Sequence, residues 1–168
     1  MAAMSSHKAP VKALLKYIEL GITVLLGIVV AMVLIDVLLR NFLGGALFFT
    51  DEFARYSMIW VAMMGSVLLV AEDGHIRVGV LPASAPAQLR FVMGMLSQTL
   101  VLFFLGVMFY ASLIVLPDVA RDRTVTLGIS MAVIYAALPV SATLMFILTL
   151  LNMAEAIRTR NSTSGVSQ

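Results

Sequence analysis

Charged side chains are scarce in this sequence, and several of them stand in pairs with helical spacing. Asp36 and Arg40 are four residues apart, and Glu52 and Arg55 are three apart. Residues at these spacings share one face of a helix, so each pair can form an ion pair. With Asp51 they form a group that we call the charged cluster. It either pairs locally at a membrane boundary or offers a polar docking surface to a partner.

Residues that serve metal or redox chemistry are rarer still. The chain has no cysteine, which removes disulfides, thiolate metal sites and thiol catalysis. Its two histidines, His7 and His75, stand outside the apolar runs, so a haem inside a helix bundle has no histidine ligand. His75 is a candidate pH switch or ligand, although a solvated or capping role is the simpler interpretation. We expect no metal, no cofactor and no enzymatic activity.

The composition indicates the environment of these side chains. Of the 168 residues, 61% are hydrophobic and 12% are charged, whereas a soluble domain has roughly 45–50% apolar and about 25% charged residues. A water-soluble domain of this size cannot bury so much apolar surface. The net charge is only +2, and no basic stripe is present that would bind nucleic acid. We therefore expect a membrane protein surrounded by membrane lipid.

Four apolar runs are long enough to cross a bilayer as helices, which needs about 20 residues. They are too long and too uniformly apolar for the strands of a β-barrel. The first run also exceeds the roughly 7–15-residue core of a signal peptide, so we expect it to be retained. We predict an all-α fold, an integral membrane bundle of four transmembrane helices over residues 14–39, 53–71, 91–116 and 127–153.

Lysine and arginine are unequally distributed between the two sides of such a bundle. The termini and the connection between the second and third spans carry seven, and the other two connections carry four. Basic residues concentrate in cytoplasmic loops, so both termini are predicted to be cytoplasmic. The chain then divides into an amino-terminal cytoplasmic segment, a transmembrane domain and a polar cytoplasmic tail, over residues 1–13, 14–153 and 154–168.

Local patterns predict how two of the helices begin and pack. Thr50 stands where an N-cap would precede the second span, and the two acids that follow suit the positive end of a helix dipole. In the fourth span, Gly128, Ala132 and Ala136 recur every four residues, a spacing that lets another helix approach closely. Pro139 predicts a kink in the same span, because proline leaves the carbonyl four residues before it unpaired.

No acid, base or histidine lies near the middle of a predicted span. Proton relays and ion-coupled sites need such groups, or unwound backbone, at mid-membrane. Glu19 is near the inner end of the first span, soon after Lys16 and Tyr17, so we expect a shallow interfacial position for it. The residues by themselves favour a helical membrane subunit without a transport or catalytic site of its own.

Several motifs occur in the order that is found in one family. The motifs that resemble the small membrane subunit of tripartite ATP-independent periplasmic (TRAP) transporters are, in chain order, Asp36–Arg40, Thr50–Tyr56, Trp60, Gly65, Gly74–Val78 and Leu127–Pro139. The resemblance covers residues 18–151. The family often has a tryptophan before the acidic start of the second helix, where this chain has Phe49.

The resemblance implies a function that the spacing alone does not. Such a subunit pairs with a large membrane subunit that binds substrate and sodium ions, and a periplasmic binding protein delivers the substrate, typically an organic acid. The small subunit would brace the large one in the bacterial inner membrane and help form the docking surface for the binding protein. The alternative is a self-sufficient small transporter that works as a homo-oligomer.

The candidate partner-interface residues combine the charged cluster, the family motifs and the small-residue spacing. They are Asp36, Arg40, Asp51, Glu52, Arg55, Trp60, Gly74, His75, Gly128, Ala132 and Ala136. We assign no catalytic, cofactor-binding or metal-binding residue.

Overall fold

The computed structural model describes residues 9–72 and 87–164, most of which are helical. The helices of this part are α1 (Ala9–Phe42), α2 (Thr50–Glu72), α3 (Ala87–Val119), α4 (Met131–Tyr135) and α5 (Ala137–Ser164). Four stretches are long and apolar enough to cross a membrane: Val11–Phe42, Thr50–Glu72, Val92–Val119 and Met131–Ala154, the last of which joins α4 to α5. The predicted all-α fold with four membrane-spanning helices is confirmed.

The helices pack side by side in the order α1, α2, α5 and α3, because α2 contacts α1 and α5, and α5 contacts α3. The α4–α5 span is the most enclosed, with 39% of its most apolar window buried against 11% in each of the other three spans. All four long helices contribute to one core, which comprises Leu15, Val67, Ala71, Leu105, Met145 and Leu148. The outward faces of α1 and α3 are therefore apolar surfaces that meet lipid or a partner.

The fourth span is interrupted at Ala136, close to the kink that Pro139 predicts. α4 ends at Tyr135, and the Ala136 N–H donates to the Ala132 carbonyl oxygen at 2.8 Å. α5 begins at Ala137, so Pro139 occupies the first turn of a new helix. Amides in a first turn have no acceptor within their own helix, and the missing N–H of proline is therefore tolerated there.

Gly128 lies outside the fourth helix, which corrects the prediction that it begins a small-residue stripe. α4 begins at Met131, after Ser130, whose side-chain oxygen accepts from the Ala132 N–H at 3.3 Å. Gly128 stands in the preceding loop with φ +64°, a conformation that glycine adopts without steric cost. Of the predicted stripe, Ala132 is in α4 and Ala136 follows its end, and both are half-buried.

Thr50 is not the N-cap that the sequence predicts. It is the first residue of α2, and the Phe53 N–H donates to the Phe49 carbonyl oxygen at 2.9 Å. Thr50 is 2% exposed, and its hydroxyl oxygen has no hydrogen-bond partner in the described part of the chain. Packing has thus drawn the hydroxyl into the protein and away from the helix amides. Asp51 and Glu52 do lie in the first turn, as predicted.

Candidate partner-binding face

Asp36 fixes the connection between α1 and α2. One carboxylate oxygen accepts from the Arg40 guanidinium at 2.8 Å, and the other accepts from the Leu47 N–H at 2.7 Å. The Asp36 side chain is 7% exposed and the Arg40 side chain 61% exposed, so the carboxylate is inside the fold while its cation faces outward. The predicted Asp36–Arg40 pair is confirmed. The same carboxylate also closes the turn in which Gly44 has φ +64°.

Glu52 joins the start of α2 to the loop before α4. One of its oxygens accepts from the Val125 N–H at 3.0 Å, and the other accepts from the Thr126 and Leu127 N–H groups at 2.8 and 3.0 Å. The Tyr56 hydroxyl donates to the first oxygen at 3.4 Å. Three consecutive amides around one carboxylate form an arrangement that favours an anion. Glu52 thereby places both inter-helix connections, residues 43–49 and 120–130, at one end of the bundle, which we call the loop end.

The 120–130 loop has a defined fold of its own. The Thr124 N–H donates to the Ile129 carbonyl oxygen at 2.9 Å, and the Ile129 N–H donates to the Thr124 hydroxyl oxygen at 3.0 Å. The Arg123 guanidinium donates to the Gly128 carbonyl oxygen at 3.1 Å. Val125 lies between these pairs and is 96% exposed. The loop is therefore a hydrogen-bonded structure, and Val125 is its most exposed apolar side chain.

Arg55 does not pair with Glu52, which differs from the predicted ion pair. Arg55 is exposed, and within residues 9–72 and 87–164 its guanidinium makes no hydrogen bond or ion pair. The Glu52 oxygens are occupied by amides of the 120–130 loop, which are held in place without the side-chain entropy that ordering an arginine costs. Asp51 is also exposed and makes no such contact in the described residues. The charged cluster thus consists of two bonded carboxylates, with Arg40, Asp51 and Arg55 at the surface.

Trp60 lies halfway along α2, away from the charged cluster. It is half-buried and lines an apolar groove of about 230 Å³ between α1 and α2. The other residues that line this groove are Ile18, Gly21, Ile22, Leu25 and Met64. Trp60 therefore belongs to a second surface, distinct from the loop end.

The roles of two candidate residues, and the expectation that the chain binds no metal ion, stay predictions. Gly74 and His75 lie outside the described residues. In the described ranges, no group of three or more His, Cys, Asp or Glu side chains could hold a metal ion. Asp36 and Glu52, the two acids that are held by neighbouring groups, accept from amides and from Arg40.

The amides of residues 125–127 are the part of the site that the sequence does not reveal. Every residue except proline has a backbone N–H, so a site built from amides leaves no mark in residue types. The sequence also does not mark Val125 as a contact residue, because one exposed valine is ordinary at a protein surface. The nearest signal is Gly128, whose positive φ marks a turn, but its spacing from Ala132 and Ala136 indicates a helix instead.

Known proteins of similar sequence identify the family of this chain. The family model described as tripartite ATP-independent periplasmic transporters, DctQ component, matches residues 29–159. A Haemophilus influenzae protein named as a TRAP transporter small permease is 24% identical over 128 residues, which cover 76% of this chain and 78% of the relative. A second H. influenzae protein with the same name is 32% identical over 85 residues, which cover 48% of this chain and 53% of that relative. The chain therefore belongs to the DctQ component family of TRAP transporters and is a small, multi-pass subunit of the inner membrane.

Proposed function

We propose that this chain is the accessory membrane subunit of a sodium-driven TRAP transporter for an organic acid. In this role it braces a large membrane subunit and supplies part of the surface on which a periplasmic binding protein docks. Membership of the DctQ component family supports the role of small subunit. The sodium gradient, the organic acid and the two partners are what the family resemblance implies.

The distribution of charge along the spans supports an accessory role. Residues 20–35, 56–71, 91–117 and 131–154 contain no Asp, Glu, Lys, Arg or His. Sites for coupling ions in transporters commonly use ionisable groups or unwound backbone near the bilayer midplane. We therefore assign ion coupling to the large subunit.

The Glu52 bonds to the 120–130 loop are the observation that carries the docking role. Through these bonds and the Asp36 bond to Leu47, both connections at the loop end are held in one arrangement. A surface that is ordered before it binds loses less conformational entropy on binding. With both termini in the cytoplasm, as the basic residues predict, the loop end faces the periplasm.

The inward direction of the two carboxylates suggests which groups meet the binding protein. The carboxylates of Asp36 and Glu52 accept hydrogen bonds from groups of the same chain, so they hold the loops in place and do not contact a partner themselves. Val125 is the most exposed apolar side chain of the loop end, which also exposes Leu43 and Phe48, and the exposed side chains of Arg121 and Asp122 are polar. An apolar centre with a polar rim is the usual composition of a protein–protein interface.

Reconstitution tests this function. The substrate is first chosen as the small carboxylate that most raises the melting temperature of the periplasmic binding protein that this transporter would use. Uptake of that labelled carboxylate is then measured in proteoliposomes with an inward sodium gradient. We expect uptake with all three proteins, none with this chain alone, and at least about tenfold slower uptake without it. Uptake by this chain alone would instead support the homo-oligomeric transporter, and full uptake without it would contradict an accessory role.

A further inference from the structure

The charged residues of α2 mark where this span enters and leaves the hydrocarbon layer. Asp51 and Glu72 are exposed at its two ends and stand 21 positions apart. This separation corresponds to about 31 Å along a helix, which matches a hydrocarbon layer of about 30 Å. Arg55 lies about 6 Å inside Asp51, so its long side chain can extend to the same edge. The 120–130 loop, which bonds Glu52 and carries three charged residues, then lies outside the layer, as charged groups require.

The packing of α1 against α2 transfers these levels to α1. The groove between the two helices is lined by residues 18–25 of α1 and 60–64 of α2, so these stretches lie side by side. The middle of 60–64 is about 11 positions inside Asp51, so on the antiparallel α1 the outer edge falls about 11 positions beyond the middle of 18–25. α1 continues to Phe42, about 14 Å beyond this edge. An edge at Arg55 instead of Asp51 would make the projection longer.

The projecting end, which we define as residues 34–48, exposes many apolar side chains. Its turn folds back along α1 only as far as Asp36, because the Leu47 N–H donates to that carboxylate. Headgroups occupy about 5–7 Å beyond the hydrocarbon edge, so Leu38 and Phe42, about 8 and 14 Å beyond it, lie above the lipid. The large apolar side chains of the projecting end that are at least half exposed are Leu34, Ile35, Val37, Leu38, Phe42, Leu43 and Phe48. Such an apolar patch in water marks a contact site for protein.

Glu19 is an exposed acid inside the inner edge of the hydrocarbon layer. The inner edge at Glu72 is about ten positions beyond the middle of 60–64, so on α1 it falls near Lys12. Glu19 then lies about 11 Å inside this edge, deeper than the shallow position that its sequence neighbours predict. Its carboxylate makes no hydrogen bond or ion pair in the described part of the chain. Acids at such depth rarely face lipid and pair with another group.

Glu19 and the projecting end lie on one side of α1. Val37 follows Glu19 by 18 positions, or about five full turns, so the two side chains point the same way. Lys16 is exposed too, but its longer side chain can extend to the inner edge, which a glutamate cannot reach. One side of α1 thus carries an unpaired acid within the inner leaflet and apolar side chains beyond the outer leaflet, and lipid suits neither.

Among the possible partners, a membrane protein is the one that reaches both ends of this side. A periplasmic binding protein cannot reach Glu19 in the inner leaflet, and acyl chains cannot cover side chains that lie beyond the headgroups. A two-fold symmetric pair of this chain with α1 against α1 would bring two Glu19 carboxylates together at one depth. Like charges in such a contact oppose association.

We propose that the exposed side of α1 and the turn that follows it, over residues 19–48, form the contact surface for the large subunit. The large subunit supplies a cationic or hydrogen-bond-donating side chain to Glu19 and an apolar cover to the projecting end. The inference rests on the proposed function, which provides the large subunit. Interfaces that stay assembled are more hydrophobic than transient ones, which fits a permanent partner here.

The first test uses single-cysteine variants, because the chain has no cysteine of its own. Each variant is placed in nanodiscs and treated with a membrane-impermeant maleimide. We expect rapid labelling of Leu38→Cys in the chain alone and none of Val24→Cys, which is exposed but lies about 13 Å inside the outer edge. Bound large subunit should slow the labelling of Leu38→Cys about tenfold or more and leave Val125→Cys unchanged. Labelling of Leu38→Cys that is as slow as that of Val24→Cys in the chain alone, or equally fast in the complex, would overturn the proposal.

The second test places a charge in the projecting end. Leu38→Asp should lower the yield of co-purified large subunit about tenfold or more, because the contact would bury the charge. The melting temperature of the chain alone should not change, since Leu38 is 55% exposed. Val125→Asp is the matched control, because it adds the same charge to the other connection and should keep the parental yield. A parental yield from Leu38→Asp would contradict the proposal.

The third test reverses the charge of Glu19. A lysine can neither pair with a cation nor accept a hydrogen bond, so Glu19→Lys should lower the yield of large subunit about tenfold or more. Glu19→Gln keeps an acceptor and should cost less. Glu72→Lys makes the same change at an exposed acid of α2 and should behave as the parent. Equal yields from Glu19→Lys and the parent would show that the large subunit offers Glu19 no partner.

The parent chain separates this inference from the proposed function. If the parent captures no large subunit, the proposed function itself fails. If the parent captures it and both Leu38→Asp and Glu19→Lys do so equally well, the proposed function stands and α1 is not the contact surface. If Leu38→Cys becomes protected when two copies of the chain share a nanodisc without large subunit, a second copy covers this side and the proposal is wrong.

Discussion

The Glu52 carboxylate lies 2.8 Å from the backbone nitrogen of Thr126, a residue 74 positions later in the chain. The amides of Val125 and Leu127 bond the same carboxylate at 3.0 Å each. A side chain of the second span therefore sets the position of the loop that joins the third span to the fourth. Three spans therefore form the loop end together. A substitution at Glu52 should change the order of the 120–130 loop as well as the start of α2.

Replacing Glu52 should loosen the 120–130 loop. Glu52→Ala removes the two carboxylate oxygens that accept from the three amides, and we expect hydrogen exchange at residues 125–127 to become faster by roughly an order of magnitude or more. Glu52→Gln keeps one acceptor oxygen and should have an intermediate effect. Hydrogen–deuterium exchange followed by mass spectrometry on the detergent-solubilised chain measures this directly.

Asp51→Asn is the matched control for that experiment. Asp51 is the adjacent acid, is exposed and makes no hydrogen bond in the described residues. Its replacement removes one negative charge from the same helix turn without removing a contact of the loop. Equal acceleration of exchange in Asp51→Asn and Glu52→Ala would mean that general charge, and not the bonds to the amides, orders the loop.

Asp36 should stabilise the protein mainly through its bond to Leu47. Asp36→Ala leaves the Leu47 N–H without an acceptor, and we expect the free energy of unfolding to fall by about 1–3 kcal/mol. Asp36→Asn keeps an acceptor for Leu47, and Arg40 can turn to solvent because it is largely exposed, so its cost should be below about 1 kcal/mol. Unfolding titrations in mixed micelles would measure both. Equal losses in the two variants would assign the stabilisation to the Arg40 ion pair instead.

The spans and the Asp36–Arg40 pair could be predicted because their causes are local. A bilayer demands about 20 apolar residues in a row, and an ion pair at a spacing of four needs only one helix. Pro139 likewise predicts the interruption near Ala136, since the backbone of proline acts within one turn.

The partners of Glu52 could not be predicted, because they are backbone amides brought close by the packing of distant helices. Arg55 has the right spacing for an ion pair with Glu52, but spacing cannot show that the loop amides occupy the carboxylate first. The prediction that Gly128 lies on a helix face is wrong for a related reason. Its distance from Ala132 indicates a helix face, whereas its positive φ places it in the turn before the helix begins.

Ala132 should report on packing around α4. It is half-buried in a helix that contacts α2, α3 and α5, so a larger side chain there has to displace neighbours. We expect Ala132→Leu to lower the free energy of unfolding by roughly 1–3 kcal/mol. Val133→Leu, at the adjacent and exposed position, is the control and should change stability by less than about 0.5 kcal/mol. Unchanged thermal stability in Ala132→Leu would mean that this face of α4 lies against lipid.

Val125 should contribute to docking without contributing to stability. Burial of a valine at an interface stabilises a complex by about 1.5 kcal/mol. Val125→Asp should therefore lower the affinity for the binding protein about tenfold or more. The melting temperature and the yield of the membrane complex should stay at the parental level, because the side chain is 96% exposed. Val125→Ile keeps an apolar side chain at the same exposed position and should bind normally. Surface plasmon resonance, with the membrane complex captured on the chip, measures the affinity of the binding protein. Parental affinity in Val125→Asp would mean that this loop is not part of the docking surface.

Arg55 should matter to the assembled transporter more than to the isolated chain. It stands one turn after Glu52, exposed and without an ion pair in the described part of the chain, so its loss removes no internal contact. We expect Arg55→Ala to change the stability of the isolated chain by less than about 0.5 kcal/mol. Near the edge of the bilayer an unpaired guanidinium is suited to bind a carboxylate of a partner at two points, which lysine cannot reproduce. Uptake or complex yield should therefore fall in Arg55→Ala and recover in part in Arg55→Lys, while Arg158→Ala, in the predicted cytoplasmic tail, should behave as the parent. An Arg55→Ala variant that assembles and transports at the parental rate would mean that the side chain simply extends towards water.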